Sequence, residues 1–226
     1  MDMPAHTPAV QDYLKAIYML STEGRPEGHV VSTQSLSARL GVSAASATNM
    51  LKKLGSLGLV DHVNYRGAEL TEPGRKIALE VIRHHRLLET YLAEALGVPW
   101  DQVHAEAEIL EHVLSEDLED RIAARLGDPT VDPHGHPIPG KDGSMPSVSK
   151  RKLWEARAGE SVAVDRVSDA EAEALRYLAD LGIRPGSRLQ VIGKGPVGGP
   201  LFVHVEDGAH EVSALSKEIS EVVWVA

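Results

Sequence analysis

Residues 32–70 constrain what this chain can fold into more than any other stretch. Ser32 or Thr33 is placed to cap a short helix, Thr33-Gln-Ser-Leu-Ser-Ala-Arg-Leu40, because its hydroxyl can accept an unpaired N–H of the first turn. Gly41 ends that helix, since glycine takes the left-handed conformation of a C-terminal cap without strain, and Ser43 caps a second helix running to about Ser56. A short helix, a glycine-containing turn and a longer helix form the helix-turn-helix pattern. Gly58 to Leu70 reads as strand, turn, strand around Asn64–Gly67, which adds a wing. The bland reading of the two helices alone is an ordinary helical corner.

On the second helix the spacing turns Ala47, Met50, Leu51 and Leu54 inward. Ser43, Ala45, Ser46, Asn49, Lys52 and Lys53 are left to face outward. Small and amide side chains can approach base edges, Asn49 offering the donor and acceptor that adenine needs, whereas Lys52 and Lys53 suit phosphates. Arg66, at the tip of the wing, is expected to reach a neighbouring phosphate. A net charge of −10 over 226 residues argues against a protein that coats nucleic acid generally. The acid is unevenly distributed, however. Residues 1–76 hold eight Lys and Arg against seven Asp and Glu, a net +1, and the rest of the chain carries −11. Any DNA contact belongs to the first third.

A helix from about Pro8 to Ser21 precedes this module, with Val10, Leu14, Ile17 and Tyr18 on one stripe and Asp12 off it. Thr71-Glu-Pro-Gly opens a long helix to about Leu96, where His85 and Glu89 lie four apart beside the apolar face. Next comes a helix from about Trp100 to Leu114. Asp101, His104, Glu106, Glu108, Glu111 and His112 give it an unusual density of metal-binding side chains, while Ala107, Leu110 and Leu114 form an apolar stripe. His104, Glu108, Glu111 and His112 project as two adjoining pairs. Two such helices packed together can close on a divalent ion. Their nitrogen and carboxylate donors suit Mn(II) or Fe(II), although affinity alone favours Zn or Cu. The alternative is a solvated acidic face with incidental histidines.

Ser115 caps a third helix to Leu126, and three long apolar faces exceed what a monomeric winged helix can cover, so a symmetric dimer is expected. In the proline-rich loop Asp128 to Gly140, His134 and His136 resemble ligands, but packing or solvation is the favoured role there. Lys141 to Lys150 reads as a linker. Short strands then follow at Ser161–Val167, Arg188–Gly193, Leu201–Glu206, Ala209–Ser213 and Glu221–Val225. A capping box, Ser168-Asp-Ala-Glu171, opens a helix that ends at Gly182. These make a small barrel without a catalytic constellation. The fold class is mainly α with small β. The domains are a winged helix-turn-helix over 1–73, a helical metal-binding and dimerisation domain over 74–140, a linker over 141–151 and an SH3-like domain over 152–226. With no cysteine, disulfides and thiolate sites are excluded, and with no long apolar run a cytoplasmic protein without a membrane partner is expected.

Asp12-Tyr-Leu-Lys-Ala-Ile-Tyr18, the winged helix through Leu70-Thr-Glu-Pro-Gly74, Arg83 to Glu89, Glu108-Ile-Leu-Glu-His-Val-Leu-Ser115 and His134-Gly-His-Pro-Ile-Pro-Gly140 together resemble the diphtheria toxin repressor family. The similarity is to its three-domain form with an SH3-like (FeoA-like) third domain and covers nearly the whole chain. It implies a metal-dependent repressor of metal-uptake genes that binds a palindromic operator as a homodimer. It further implies a functional metal site drawn from Asp12, Glu108, Glu111 and His112, and an ancillary site from His85, Glu89 and His104. A third-domain carboxylate of the family pattern falls on Glu171, and a second third-domain ligand, a glutamine in the family, falls on Ala174. Asp12 and Glu108 resemble the manganese-responsive branch, which makes Mn(II) the expected ion and Fe(II) the second choice. Lys15 departs from that branch, which has a glutamate there; an ammonium binds no metal, so the branch's two-ion cluster is not expected unchanged. The rival class is a metal-dependent hydrolase or di-metal carboxylate enzyme, but neither His-Glu-x-x-His nor the paired Glu-x-x-His of di-iron bundles occurs. A metal carrier using the barrel for docking leaves the winged helix without a role.

Overall fold

Serine caps set the register of the two helices at 33–56. The structure, a computed structural model, describes residues 7–22, 30–63, 67–206, 208 and 211–226; Asn64 and Arg66 of the expected wing tip lie outside them. The described chain divides into two compact units. The first comprises Met1–His84, Glu111–Val113 and Pro139–Ser144, the second His85–Leu110, Leu114–Ile138 and Met145–Ala226.

In the first unit α1 (Pro8–Thr22) buries Val10, Tyr13, Leu14, Ala16, Ile17 and Tyr18. It packs against α2 (Thr33–Leu40) and α3 (Ala44–Ser56). Ser32 caps α2 by accepting from Ser35 N, Gly41 ends it at φ 64°, and Ser43 caps α3 by accepting from Ser46 N. Each serine cap contributes about 1 kcal/mol over alanine. Leu51 and Leu54 of α3 are fully buried, each worth about 1.5–3 kcal/mol, while Met50 is half-buried rather than inward. Strands β1 (Val60–Val63) and β2 (Gly67–Leu70) pair antiparallel, and Val31 adds a two-bond bridge to Ala68. The long helix α4 (Glu72–Leu96) starts after Thr71, whose hydroxyl accepts from Gly74 N.

The second unit takes the later part of α4, then α5 (Val103–Leu110) and α6 (Glu116–Arg125), which Ser115 caps. Leu87, Leu88, Ala107, Ile122, Ala123 and Ile138 form its helical core. Helix α5 is shorter than its periodicity suggests: Glu111–Val113 form a turn, and Leu110 is exposed instead of joining the stripe. After a 3-10 turn at Leu153–Glu155 come β3 (Ser161–Val167), α7 (Ala172–Asp180), β4 (Arg188–Lys194), β5 (Leu201–Val205), β6 (Ser213–Leu215), α8 (Lys217–Glu221) and β7 (Val223–Val225). The sheet is antiparallel in the order β6-β5-β4-β3-β7, around Val162, Val164, Leu175, Leu178, Leu189, Val191, Val203 and Val225. Two expectations need correction here. The capping box at 168–171 does not form; α7 begins later, with Glu171 at its N-cap making no side-chain cap bond. Of the expected strand Ala209–Ser213, residues 209 and 210 lie outside the described residues and β6 takes Ser213–Leu215; the last strand starts at Val223, not Glu221, because Lys217–Glu221 closes into a helical turn capped by Ser216. Among the described residues no helix is long and apolar enough to cross a membrane.

Candidate metal centres and nucleic-acid interface

In the first unit Asp12, Glu111 and His112 converge, each offering a donor atom within 4.8 Å of the others. Helix α1 brings Asp12, whose Oδ1 lies 3.0 Å from His112 Nε2. His112 Nδ1–H donates to Gln11 Oε1 at 2.8 Å, which turns Nε2 toward Asp12. His84 Nδ1–H donates to the Glu111 carbonyl at 3.1 Å and holds the turn against α4. Lys15, one turn along α1 from Asp12, donates to both Glu111 oxygens at 2.7 and 3.0 Å. The Glu111 side chain is fully buried, so this ammonium supplies a cation to a carboxylate that water does not reach. Glu108 belongs to the second unit; its Oε1 is 3.7 Å from His85 Nδ1 and 3.9 Å from His104 Nε2.

The second unit holds a denser cluster, in which His85, Glu89, His104 and Asp169 converge within 4.8 Å. Glu89 Oε1 lies 3.1 Å from His85 Nε2 and 3.2 Å from His104 Nδ1, and the two imidazole nitrogens are 3.0 Å apart. Asp169 Oδ2 is 3.5 Å from His104 Nδ1. The third-domain carboxylate present is thus Asp169; Glu171 is exposed at the start of α7 and stands outside the group. Backbone stitching explains the difference. Val167 N at the end of β3 donates to the His134 carbonyl at 2.9 Å, and Ser168 N to the Val222 carbonyl at 2.8 Å, which fixes the next residue beside the histidines. Gly135 makes this approach possible: it sits at φ 87°, and a Cβ there would lie 2.3 Å from the Asp165 carbonyl oxygen. Asp101 is drawn off into an ion pair with Arg176 at 3.0 Å, and Glu106 is exposed.

These donors suit a divalent cation. Glu89 is wholly buried and its Oε2 has no hydrogen-bond partner among the described residues, the state of an oxygen still owed a positive partner. Two imidazoles and two carboxylates make a nitrogen-oxygen set of the kind Mn(II), Fe(II) and Zn(II) accept. Burial alone would raise the Glu89 carboxyl, but the charge of His85 and hydrogen bonds from His104, His134 and His85 hold it well below the carboxylate range. Burial alone would likewise lower His134; the hydrogen bond and charge of Glu89, with Asp132 and Asp169, push it up to about 9. His134 thereby holds a proton, and with it a positive charge, beside Glu89.

On the side of α3 expected to meet DNA, Ser43, Ala45, Ser46, Asn49, Lys52 and Lys53 are all exposed. Ser43 and Ser46 are joined through their hydroxyls at 2.9 Å at the helix start. Arg66 is outside the described residues.

Comparison with known proteins agrees with this layout. Residues 6–68 match the family described as iron dependent repressor, N-terminal DNA binding domain. Residues 71–140 match iron dependent repressor, metal binding and dimerisation domain, and 151–226 match the FeoA domain. The iron-dependent repressor IdeR of Mycobacterium leprae is 34% identical, over 94% of each chain. The chain belongs to the iron-dependent repressor family. The diphtheria toxin repressor of Corynebacterium diphtheriae is 30% identical, over 80% of this chain and 82% of that protein. A solved manganese-dependent transcriptional repressor in complex with manganese is 44% identical, with a TM-score of 0.87 over 96% of this chain and 99% of that one.

The family is one of metal-dependent transcriptional repressors, so the protein is a repressor of that class and not an enzyme. Asp169 takes the place beside His85, Glu89 and His104 that the sequence reading assigned to Glu171. The only signal for Asp169 in the sequence is a carboxylate two residues past a strand end.

Proposed function

We propose that this protein is a cytoplasmic, Mn(II)-responsive repressor of metal-uptake genes, with Fe(II) as the second metal, acting as a homodimer on a palindromic operator. In this reading 1–73 reads DNA, 74–140 pairs subunits and binds metal, 141–151 links, and 152–226 supports the ancillary cluster. The observation that carries it is the meeting of Asp12 on α1 with Glu111 and His112. A bound divalent ion would supply positive charge shared by these donors and so tie α1 to the turn at 111–113. Glu108 enters the functional ligand set through the family resemblance alone. Oxygen and imidazole donors with no sulfur suit Mn(II) and Fe(II) alike, and the choice of Mn(II) rests on the resemblance of Asp12 and Glu108 to the manganese-responsive branch. His85, Glu89, His104 and Asp169 form the ancillary set, from which we drop Glu171.

Helix α1 packs on α2 and α3, so its position bears on the tilt of α3. In a dimer the two α3 helices must enter major grooves about one helical turn, or a multiple of it, apart. Exposed Ile109, Leu110 and Leu118 offer apolar surface for subunit pairing. A coupling of about 1–3 kcal/mol, or 5- to 150-fold in operator affinity, is the usual size of such an effect. Replacing Asp12 and Glu108 together by alanine should abolish the Mn(II)-stimulated part of operator binding in gel shifts, with the metal-free melt unchanged in shape. Stimulation of wild-type size in that variant would remove the site from the account.

Along α3 the roles differ. Asn49→Ala should change the preferred sequence in a binding-site selection. Lys52→Ala should instead weaken binding to all sequences and reduce the salt slope by about one. An Asn49 variant that selects the wild-type sequence would show that α3 is misplaced in the groove.

A further inference from the structure

Helix α1 grips His112 at both ring nitrogens, and only one of those contacts belongs to the donor set of the first unit. Gln11 and Asp12 are consecutive residues of α1, set about 100° apart around the helix. Asp12 Oδ1 lies 3.0 Å from His112 Nε2, and Gln11 Oε1 lies 2.8 Å from His112 Nδ1. Glu111 Oε1 is also on the Nε2 side, at 3.7 Å. The atoms that can share a cation therefore meet at Nε2. Nδ1 is turned from them to a neutral amide.

An imidazole offers a metal either nitrogen, and rotation of the ring exchanges the two. Residues 111–113 form a turn, so helical packing does not set the ring's direction. His84 holds the backbone there through the Glu111 carbonyl at 3.1 Å, and Lys15 holds the Glu111 carboxylate at 2.7 Å. Neither contact reaches the His112 ring. Gln11 does. An amide oxygen only accepts, so it takes the ring N–H at Nδ1 and leaves the Nε2 lone pair to the donor set. Metal-binding histidines are usually held in this way, through the ring nitrogen that does not bind the metal. Gln11 is half-buried, and as a neutral group it orients the ring without adding charge beside Asp12 and Glu111.

We propose that Gln11 is the positioning residue of the first-unit metal site, its amide oxygen holding His112 with Nε2 toward Asp12 and Glu111. It rests on the functional reading of Asp12, Glu111 and His112 as a metal site. The Gln11 bond needs no ion, so α1 and the turn at 111–113 are already joined at one point when a cation arrives. Part of the ordering that metal binding requires is thus done beforehand.

Full-length protein carrying His104→Ala and Asp169→Ala, which removes two of the four donors of the second-unit cluster, would be titrated with Mn(II) by calorimetry. Asp12→Ala in that background should abolish the binding that belongs to the first unit; unchanged binding there would overturn the metal-site reading and this proposal with it. Gln11→Leu keeps the bulk and removes the acceptor. It should weaken Mn(II) by about 10- to 100-fold while leaving the metal-free melting midpoint nearly unchanged. Gln11→Glu restores an acceptor and should return the affinity at least to that of the parent. Where Asp12→Ala abolishes binding, parental affinity in Gln11→Leu or no recovery in Gln11→Glu would overturn the proposal and leave the site reading standing. Should Gln11→Leu fail to fold, the ring itself decides. In Cd(II)-loaded parent protein labelled with nitrogen-15 histidine, NMR should find the His112 proton on Nδ1 and the metal on Nε2; metal on Nδ1 refutes the assignment.

Discussion

Glu89→Ala is expected to lower the melting temperature of the metal-free protein by about 10 °C. The carboxylate is wholly buried, with His85 at 3.1 Å, His104 at 3.2 Å and His134 at 3.7 Å around it. Removing one partner from a buried charged cluster costs about 3–5 kcal/mol, because the remaining groups keep their desolvation penalty. For a chain of this length each kcal/mol moves the midpoint by about 2–4 °C. The same change should alter the pH profile. His134 titrates at about 9 in the folded protein against its ordinary 6.5, so its contribution is complete below pH 6.5 and is lost as the pH rises through 9. That alkaline loss amounts to at most about 3 kcal/mol. Glu89 works in the opposite direction: its carboxyl is depressed, so its contribution holds above its ordinary 4.5 and disappears only as the pH falls through a much lower value. Wild-type melts in chelator should therefore fall between pH 6.5 and 9, and the alanine variant should show a flatter alkaline limb. Scanning calorimetry across that range tests both. Parallel limbs, or a midpoint displaced by under about 2 °C, would mean the histidines do not depend on Glu89.

Lys15→Ala is expected to act with opposite signs in the two metal states. Its ammonium bonds both oxygens of the buried Glu111 carboxylate, so its loss should destabilise the metal-free protein by about 2–3 kcal/mol, Lys15 itself being partly exposed. An ammonium already on the Glu111 oxygens also opposes any second cation there. Without it, Mn(II) affinity at Asp12, Glu111 and His112 should rise tenfold or more, equivalent to about 1.4 kcal/mol. Melts in chelator and in saturating Mn(II), with titration calorimetry, read both arms. The metal-induced gain in midpoint should be larger in the variant; equal Mn(II) affinity in the two proteins would show that Lys15 does not compete. The apo state is therefore not the bare repulsion of Asp12 by Glu111 that a count of carboxylates suggests. A built-in cation already offsets part of that charge, and a divalent ion bound there would have to displace or outweigh it.

Local chemistry determined much of this protein from its sequence. Ser32, Ser43 and Ser115 cap the helices they were expected to cap, Gly41 ends α2, and β3 spans Ser161–Val167 as read, because caps and two-residue alternation depend on near neighbours. The exposed side of α3 was legible for the same reason: residues on opposite faces of a helix differ in sequence in a regular way. Tertiary structure decided what lies across the fold. Helical spacing continues through Glu111 and His112, yet α5 stops at Leu110; the Glu111 carbonyl bonds His84 and its carboxylate bonds Lys15, partners distant in sequence. Asp169 in place of Glu171 follows from the stitch between β3 and the His134 loop, which no local propensity encodes. The same stitch buries Asp132, His134 and His136 beside Glu89 and Asp169, neighbours that spacing along the chain does not give. Which donors share a partner is a matter of distance in space, and spacing along the chain carries that information only within a single helix or strand.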